Sequence, residues 1–326
     1  MILVTGGCGY IGSHTILKLA KIGYKIVILD NFSNSSFRVL DKLQSITNKE
    51  ISFIEGDIRD YDVLRKIFVK YRIEEVLHFA ALKSISESFQ KSIEYFSNNI
   101  GGSLNLLNAM DEAKIKKIIF SSSATVYGKN HKLPWHENLK LSMPDSPYAQ
   151  SKLVIEESLR NVYNSDNNWK VGILRYFNPI GAHSSDLINE DINGKVSNLI
   201  PNILKVIKNK HPFLEIYGND YKTVDGTGVR DFIHIDDLVD GHIKALEYLS
   251  SNNGYNIWNL GTGSGYSVLQ VLKEFEDIMK IKIPYRILDR RNGDLSEYWA
   301  DPSKAFLELN WQAKKNIKEM VKDCIN

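Results

Sequence analysis

Cysteine is scarce in this sequence: the 326 residues include two, Cys8 and Cys324, near opposite ends of the chain. Their placement matches neither a disulfide framework nor a zinc site, so a reducing compartment is the expectation. An excess of one charge is also missing. With 41 Lys and Arg against 39 Asp and Glu, the formal net charge is +2, which offers no electrostatic basis for binding nucleic acid or an anionic membrane surface. Any anion must be held by a local site. No apolar run reaches the ~18 residues of a membrane span, and the chain opens on Ile2-Leu3-Val4 and not on a charged leader. The expectation is a cytoplasmic protein without membrane contact. The eight histidines form no metal-ligand grouping, so no metal is expected. At 43% hydrophobic and 25% charged residues, the composition is that of an ordinary globular protein, long enough for one large unit and a smaller one.

What is present begins at the first residue. Met1 to Val4 is a short apolar run that stops at Thr5-Gly6-Gly7-Cys8-Gly9-Tyr10-Ile11-Gly12, after which Ile16, Leu17 and Ala20 recur at helical spacing. This reads as strand, glycine turn, helix. The glycines at 7, 9 and 12, or at 6, 9 and 12, let backbone N–H groups approach a pyrophosphate at a helix amino end. The next strand, Lys25 to Leu29, ends on Asp30, eighteen residues past Gly12. An acid there accepts hydrogen bonds from an adenosine ribose and repels a 2′-phosphate, which favours NAD over NADP.

The same alternation continues. Strands at 51–54, 75–78, 117–120 and 171–174 are separated by helices at 61–71, at 92–113 and from Ser146 onward. Such a pattern predicts an α/β fold with a doubly wound parallel sheet. Ligands of these sheets collect beyond the carboxyl ends of the strands, where Asp30, Asp57, Phe79, Ala80, Ser123 and Asn178 stand. After Asn178 the alternation fails, and a polar, loop-rich stretch at 181–198 opens a second region. That region is expected to hold a helix at 199–210 and a strand at 214–217. A helix at 236–249 and a strand at 257–260 should rejoin the first sheet.

The chemistry centres on Ser146-Pro147-Tyr148-Ala149-Gln150-Ser151-Lys152. Ser146 suits a helix cap and Pro147 the first helical position. Lys152 follows Tyr148 by four residues and shares its helix face; among the 16 tyrosines no other has a lysine at that spacing. A phenol ionises near pH ~10 in water, and an adjacent cation with a helix amino end favours the phenolate. Tyr148 is thus a candidate base near neutral pH. Arg230, Arg290 and Arg291 are candidates for a second anion site, since a guanidinium binds phosphate oxygens bidentately.

Five stretches carry a family resemblance: Thr5-Gly6-Gly7-x-Gly9-Tyr10-Ile11-Gly12-Ser13-His14, Ser121-Ser122-Ser123-Ala124-Thr125-Val126-Tyr127-Gly128, Tyr148-x-x-x-Lys152, Arg175-Tyr176-Phe177-Asn178-Pro179 and Gly226-Thr227-Gly228-Val229-Arg230-Asp231. They resemble the extended short-chain dehydrogenase/reductase superfamily, and within it the nucleotide-sugar 4-epimerases, over almost the whole chain. The resemblance implies a Rossmann-type NAD-binding domain at 1–178, rejoined by segments near 231–263, and a smaller mixed α/β domain at 179–326 for a UDP-sugar. It implies interconversion of UDP-glucose and UDP-galactose through oxidation at C4, rotation of the 4-keto sugar and re-reduction. Ser123, Tyr148 and Lys152 would be catalytic. Gly6, Gly9, Tyr10, Ile11, Gly12, Asp30, Asn31, Asp57, Ile58, Phe79, Ala80, Lys83, Asn98 and Phe177 would contact NAD together with Tyr148 and Lys152. Ser123, Asn178, Asn198, Leu199, Tyr217, Arg230, Arg291, Asp294 and Tyr298 would contact the nucleotide sugar.

The resemblance also implies a homodimer formed through helices of the NAD domain, and a Tyr298 that crowds the sugar 2-substituent and disfavours N-acetylated sugars. A UDP-N-acetylhexosamine epimerase is the near alternative. The 4,6-dehydratases carry an Asp-Glu pair just after the Ser/Thr, where this chain has Ala124 and Thr125. Asp30 argues against an NADPH reductase. A silent NAD-binding regulatory module would typically have lost the Tyr or the Lys.

Overall fold

The computed structural model describes residues 1–129, 131–183, 198–291 and 293–325. The first part of the chain runs β1 (Ile2–Thr5), α1 (Tyr10–Lys21), β2 (Ile26–Asp30), α2 (Phe37–Thr47), β3 (Ser52–Glu55), α3 (Tyr61–Lys70) and β4 (Glu75–His78). It continues through α4 (Ile85–Gln90), α5 (Ser92–Tyr95), a π-helical turn (Phe96–Gly101), α6 (Gly102–Glu112), β5 (Lys117–Ser123), α7 (Pro147–Ser165) and β6 (Lys170–Tyr176). Seven strands form one sheet in the order β10-β6-β5-β4-β1-β2-β3, where β10 is Gly254–Leu260. Every pairing in it is parallel. Parallel strands are covered on both faces, which is why β1, β2 and β4 are buried along their whole length.

The chain leaves β1 toward β2 and β3, then returns to place β4 on the other side of β1. That reversal opens a crevice at the carboxyl ends of β1 and β4. On one face, Ile16 and Leu19 of α1, Leu43 of α2 and Leu246 of α9 (Ile235–Ser251) pack with Leu309 of α11 (Ser303–Leu309). On the other, Leu64 of α3, Leu106 of α6 and Leu159 of α7 pack together.

A second group of elements comprises β7 (Asn178–Ile180), α8 (Leu199–Ile207), β8 (Leu214–Tyr217), β9 (Val229–His234), β11 (Gly265–Ser267), α10 (Val268–Met279), β12 (Tyr285–Leu288), β13 (Glu297–Tyr298) and α12 (Ile317–Ile325). β9 is its hub, pairing with β7, β11 and β13, while β8 and β12 pair separately. A core of its own, including Ile203, Phe232, Phe275 and Met320, sits beneath. Of the stretch 231–263, α9 and β10 lie with the large sheet, whereas Asp231 to His234 belong to β9. The polar stretch expected at 181–198 lies outside the described residues from 184 to 197. Among the described residues no helix is long and apolar enough to cross a membrane.

Two differences from the sequence reading have local causes. The single helix expected over 92–113 is interrupted by the π-helical turn, which brings Asn98 and Asn99 into the interior; a wider turn of this kind often marks a functional segment and leaves no trace in a 3.6-residue pattern. The helix α10 went unread, although Ser267 and Gln270 form a reciprocal capping box at its start.

Candidate active site

The glycine turn is shaped by close approach. Gly6 takes φ +68°, and a Cβ there would lie 2.6 Å from Ala80 N; a Cβ on Gly12 would lie 2.4 Å from Gly6 O. A side chain at Gly6 would collide with the segment that follows β4, and one at Gly12 would push α1 away from the turn after β1. Gly9 is the cap residue of α1 and no side chain caps this helix, unlike α3, capped by Asp60, and α7, capped by Ser146. An uncapped amino end, with Tyr10 and Ile11 in its first turn, is a place for an anion. Asp30, buried at the end of β2, ties the turn down: Oδ2 accepts from Cys8 N and Oδ1 from Phe32 N and Ser35 Oγ, each at 2.9 Å.

Around the same crevice, Asn31 Nδ2 donates to Asp57 Oδ2 at 2.8 Å. The Arg59 guanidinium hydrogen-bonds both Asp57 oxygens, at 2.9 and 2.7 Å, and holds that carboxyl down at about 2. Ile58 is buried and would meet a Cβ on Gly102 at 2.5 Å. Phe79 and Ala80 follow β4, joined to β1 by Phe79 N donating to Thr5 O at 3.0 Å. Asn98, in the π-helical turn, donates from Nδ2 to Asn99 Oδ1 at 3.0 Å. Asn99 in turn donates to Ser151 Oγ of α7 at 3.0 Å. Phe177, buried just after β6, donates its N–H to Leu260 O at 3.1 Å.

Ser146 Oγ accepts from Ala149 N at 3.2 Å with Pro147 as first helical residue. Tyr148 and Lys152 therefore stand one turn apart at the start of a rigid helix. Tyr148, a half-buried residue, has Ser123 as a neighbour, and Ser123 Oγ accepts from Thr125 N at 3.2 Å and Thr125 Oγ1 at 3.0 Å. Lys152 is buried, donating from Nζ to Ser121 O at 2.6 Å, and Nζ lies 4.7 Å from the centre of the Phe120 ring. Burial lowers its pKa to about 7, with Glu156 one turn on acting in the opposite sense. Burial likewise pushes the Tyr148 phenol up to about 12, against the pull of the neighbouring Ser123. In the chain alone, desolvation of the phenolate is the largest influence on Tyr148, opposite in sense to the lowering expected from Lys152 and the helix end.

Beside this pair opens a cavity of about 300 Å³, lined by Lys83, Asn178, Asn198, Leu199, Tyr217, Arg230, Arg291, Asp294 and Tyr298. Ser123, Tyr148 and Lys152 are not on its wall, but their neighbours Thr125, Ser146 and Ala149 are. The Arg291 guanidinium stacks 3.7 Å over the Tyr217 ring, and Arg230 lies 4.6 Å over the Tyr298 ring. Tyr298 OH donates to Asn178 Oδ1 at 3.2 Å. Arg290, the third arginine of the anticipated anion site, instead donates from Nε to Asp220 Oδ1 and from Nη2 to Asp220 O, both at 2.7 Å. Asp231 is buried and accepts from Thr262 N, Gly263 N and Ala300 N at 2.9, 3.0 and 3.1 Å, so it binds the strand bearing Arg230 to the segment just after Tyr298. Thr125, named in the sequence only as a non-carboxylate after Ser123, also lines the cavity, as does Trp135, which sits in a stretch without periodicity and carries no signal in the sequence.

A doubly wound parallel sheet, with an uncapped glycine-turn helix at its switch point and a Ser–Tyr–Lys set over a neighbouring strand end, defines the short-chain dehydrogenase/reductase class of enzymes. Residues 3–324 match the family described as GDP-mannose 4,6 dehydratase. The chain is 48% identical over 322 residues to the UDP-glucose 4-epimerases of Bacillus subtilis (strain 168) and of Pasteurella multocida (strain Pm70), covering 99% of this chain and 95% of each. It resembles the crystal structure of UDP-glucose 4-epimerase from Bifidobacterium longum in complex with NAD+ and UDP, with a TM-score of 0.96 and 44% identity over 99% of this chain and 96% of that one. The chain belongs to the UDP-glucose 4-epimerase family.

Proposed function

We propose that the protein is an isomerase that interconverts UDP-glucose and UDP-galactose with NAD as its cofactor. One arrangement carries this reading: Tyr148, with Ser123 as its neighbour and Lys152 one turn on, adjoins a cavity walled by Arg230, Arg291 and Asp294. Proton transfer and diphosphate recognition thereby meet in one place.

NAD fits the residues present. The uncapped amino end of α1, with Gly6, Gly9, Tyr10, Ile11 and Gly12, suits a pyrophosphate, and the Asp30 carboxylate suits an adenosine ribose. Asn31, Asp57, Ile58, Phe79, Ala80, Lys83, Asn98 and Phe177 flank the same crevice. When bound, NAD supplies a hydride acceptor and the positive charge of its oxidised ring. Tyr148 takes the proton from the sugar O4 and returns it, Ser123 orients phenol and hydroxyl, and Lys152 holds the nicotinamide ribose. Arg230 and Arg291 bind the diphosphate. Asn198, Leu199, Tyr217 and Asp294 complete the nucleotide side, and Asn178 and Tyr298 flank the hexose. Inversion requires UDP to be held while the hexose turns. The charged, stacked wall and the neutral Asn178–Tyr298 side suit these opposite demands.

In this reading residues 1–178, with α9 and β10, hold NAD, and most of 179–326 holds the UDP-sugar. The protein is a cytoplasmic homodimer, which the balanced charge and the exposed apolar side chains Phe89, Ile93 and Leu104 around α4 to α6 support. The name of the matching family points to a second reading, a 4,6-dehydratase. Against it, Ala124 and Thr125 follow Ser123 in a 3₁₀ turn, and neither offers a carboxylate to eliminate water. The test is to incubate the purified protein with UDP-galactose, without added NAD, and to follow the sugar H4 signal by proton NMR. Growth of UDP-glucose to a stable mixture is expected. No change, even with NAD supplied, would remove the proposal.

A further inference from the structure

We propose that Trp135, a residue without an assigned role, sets the sugar specificity of the site by clamping the Tyr298 ring in place. The inference rests on the reading above, in which Tyr298 limits the space at the sugar C2.

Tyr298 has little backbone support of its own. It ends β13, a strand of two residues that pairs with β9 through Val229 and Arg230. Its hydroxyl has one long hydrogen bond, 3.2 Å to Asn178 Oδ1. What fixes the ring is packing: the Trp135 indole lies parallel to it, with ring centres 5.0 Å apart and planes within 2°, the Arg230 guanidinium lies over it at 4.6 Å, and the more distant Phe177 ring, 6.0 Å away, is tilted by 49°. Aromatic stacking of this kind adds to burial and biases which rotamer a tyrosine adopts.

Trp135 is itself firmly held. Its N–H donates to Trp299 O at 2.9 Å, and its carbonyl accepts from Asp301 N at 2.7 Å and Asn259 Nδ2 at 2.8 Å. The indole thus belongs to the same backbone framework that carries Tyr298, and Tyr127 packs against it 5.2 Å away. The indole Nε1, by contrast, is buried without a hydrogen-bond partner. An unmet buried donor is destabilising, and leucine would fill the same space without it; what the indole adds at this place is a flat face against the Tyr298 ring.

Removing the flat face lets the Tyr298 ring move aside and admits a bulky 2-acetamido group. The experiment compares kcat/KM for UDP-N-acetylglucosamine and UDP-glucose in the wild type, Trp135→Leu, Trp135→Phe and Tyr298→Ser. The expected result is a rise of about tenfold or more in the ratio of the two for Trp135→Leu, in the same direction as Tyr298→Ser, with Trp135→Phe staying near wild type. If Trp135→Leu does not fold, Trp135→Met, which fills the space without a flat face, replaces it. A wild-type ratio in the Leu or Met variant while Tyr298→Ser widens it would overturn the role of Trp135 and leave the reading of Tyr298 standing. An unchanged ratio in Tyr298→Ser would overturn both.

Discussion

Tyr148 and Lys152 are pushed in opposite directions by one cause. Burial disfavours whichever form is charged, so the phenol rises to about 12 while the ammonium falls to about 7. The chain alone does not bring the phenol down, and the oxidised nicotinamide ring of bound NAD would supply the positive charge that favours the phenolate. Replacing Tyr148 by Phe removes the hydroxyl proposed to carry the proton and leaves the ring, the helix and Lys152. Turnover of UDP-galactose is expected to fall by about 10²–10⁴-fold, with the circular dichroism spectrum and the NAD content of the purified protein unchanged; undiminished turnover would exclude Tyr148 from the mechanism. The identity of these residues was legible in the Tyr–Lys spacing, whereas their titration was not. Desolvation depends on neighbours such as Phe120 and Ser121, which reach α7 only through the fold. Arg230 and Arg290 make the same point: residue chemistry alone does not separate them, the family resemblance favours Arg230, and in the fold Asp220 takes Arg290 while Arg230 faces the cavity.

The helix α7 shows what local sequence achieves on its own. Ser146, Pro147 and the apolar positions that follow specify where it starts, and the start sets the direction of both Tyr148 and Lys152. Ser146→Ala removes the acceptor for Ala149 N and is expected to lower stability by about 1 kcal/mol, read as a shift in the urea midpoint at unchanged slope. A shift of under ~0.3 kcal/mol would mean that the packed face of α7 alone holds the turn. The strand and helix beat was legible for the same reason, each element having its own period. The π-helical turn was not. Asn98 and Asn99 point inward because Leu82 and Ser151 meet the Asn99 side chain there, and no pattern within 92–113 encodes those partners.

The whole molecule carries an acid sensitivity that no single element shows. His14, His78 and His242 are all buried, and burial lowers them to about 4, 3 and 4. In the unfolded chain each titrates near ~6.5, so between that value and the folded ones the unfolded state binds more protons. Their contribution is complete above pH ~6.5 and is lost as the pH falls toward 4. Three such protons correspond to about 4 kcal/mol per pH unit near pH 5, so urea unfolding at pH 7 and pH 5 should differ by several kcal/mol. Equal stability at the two values would show that these histidines are already protonated in the fold. The sequence by itself determined the glycine turn, the alternation of strands and helices, the acid after β2 and the pairing of Tyr148 with Lys152, because each is written in spacings of a few residues that backbone geometry reads directly. Only the tertiary structure decided that Asp220 takes Arg290, how far Tyr148 and Lys152 are desolvated and that Trp135 lies flat on Tyr298, because those outcomes depend on residues far apart in the chain meeting in the fold.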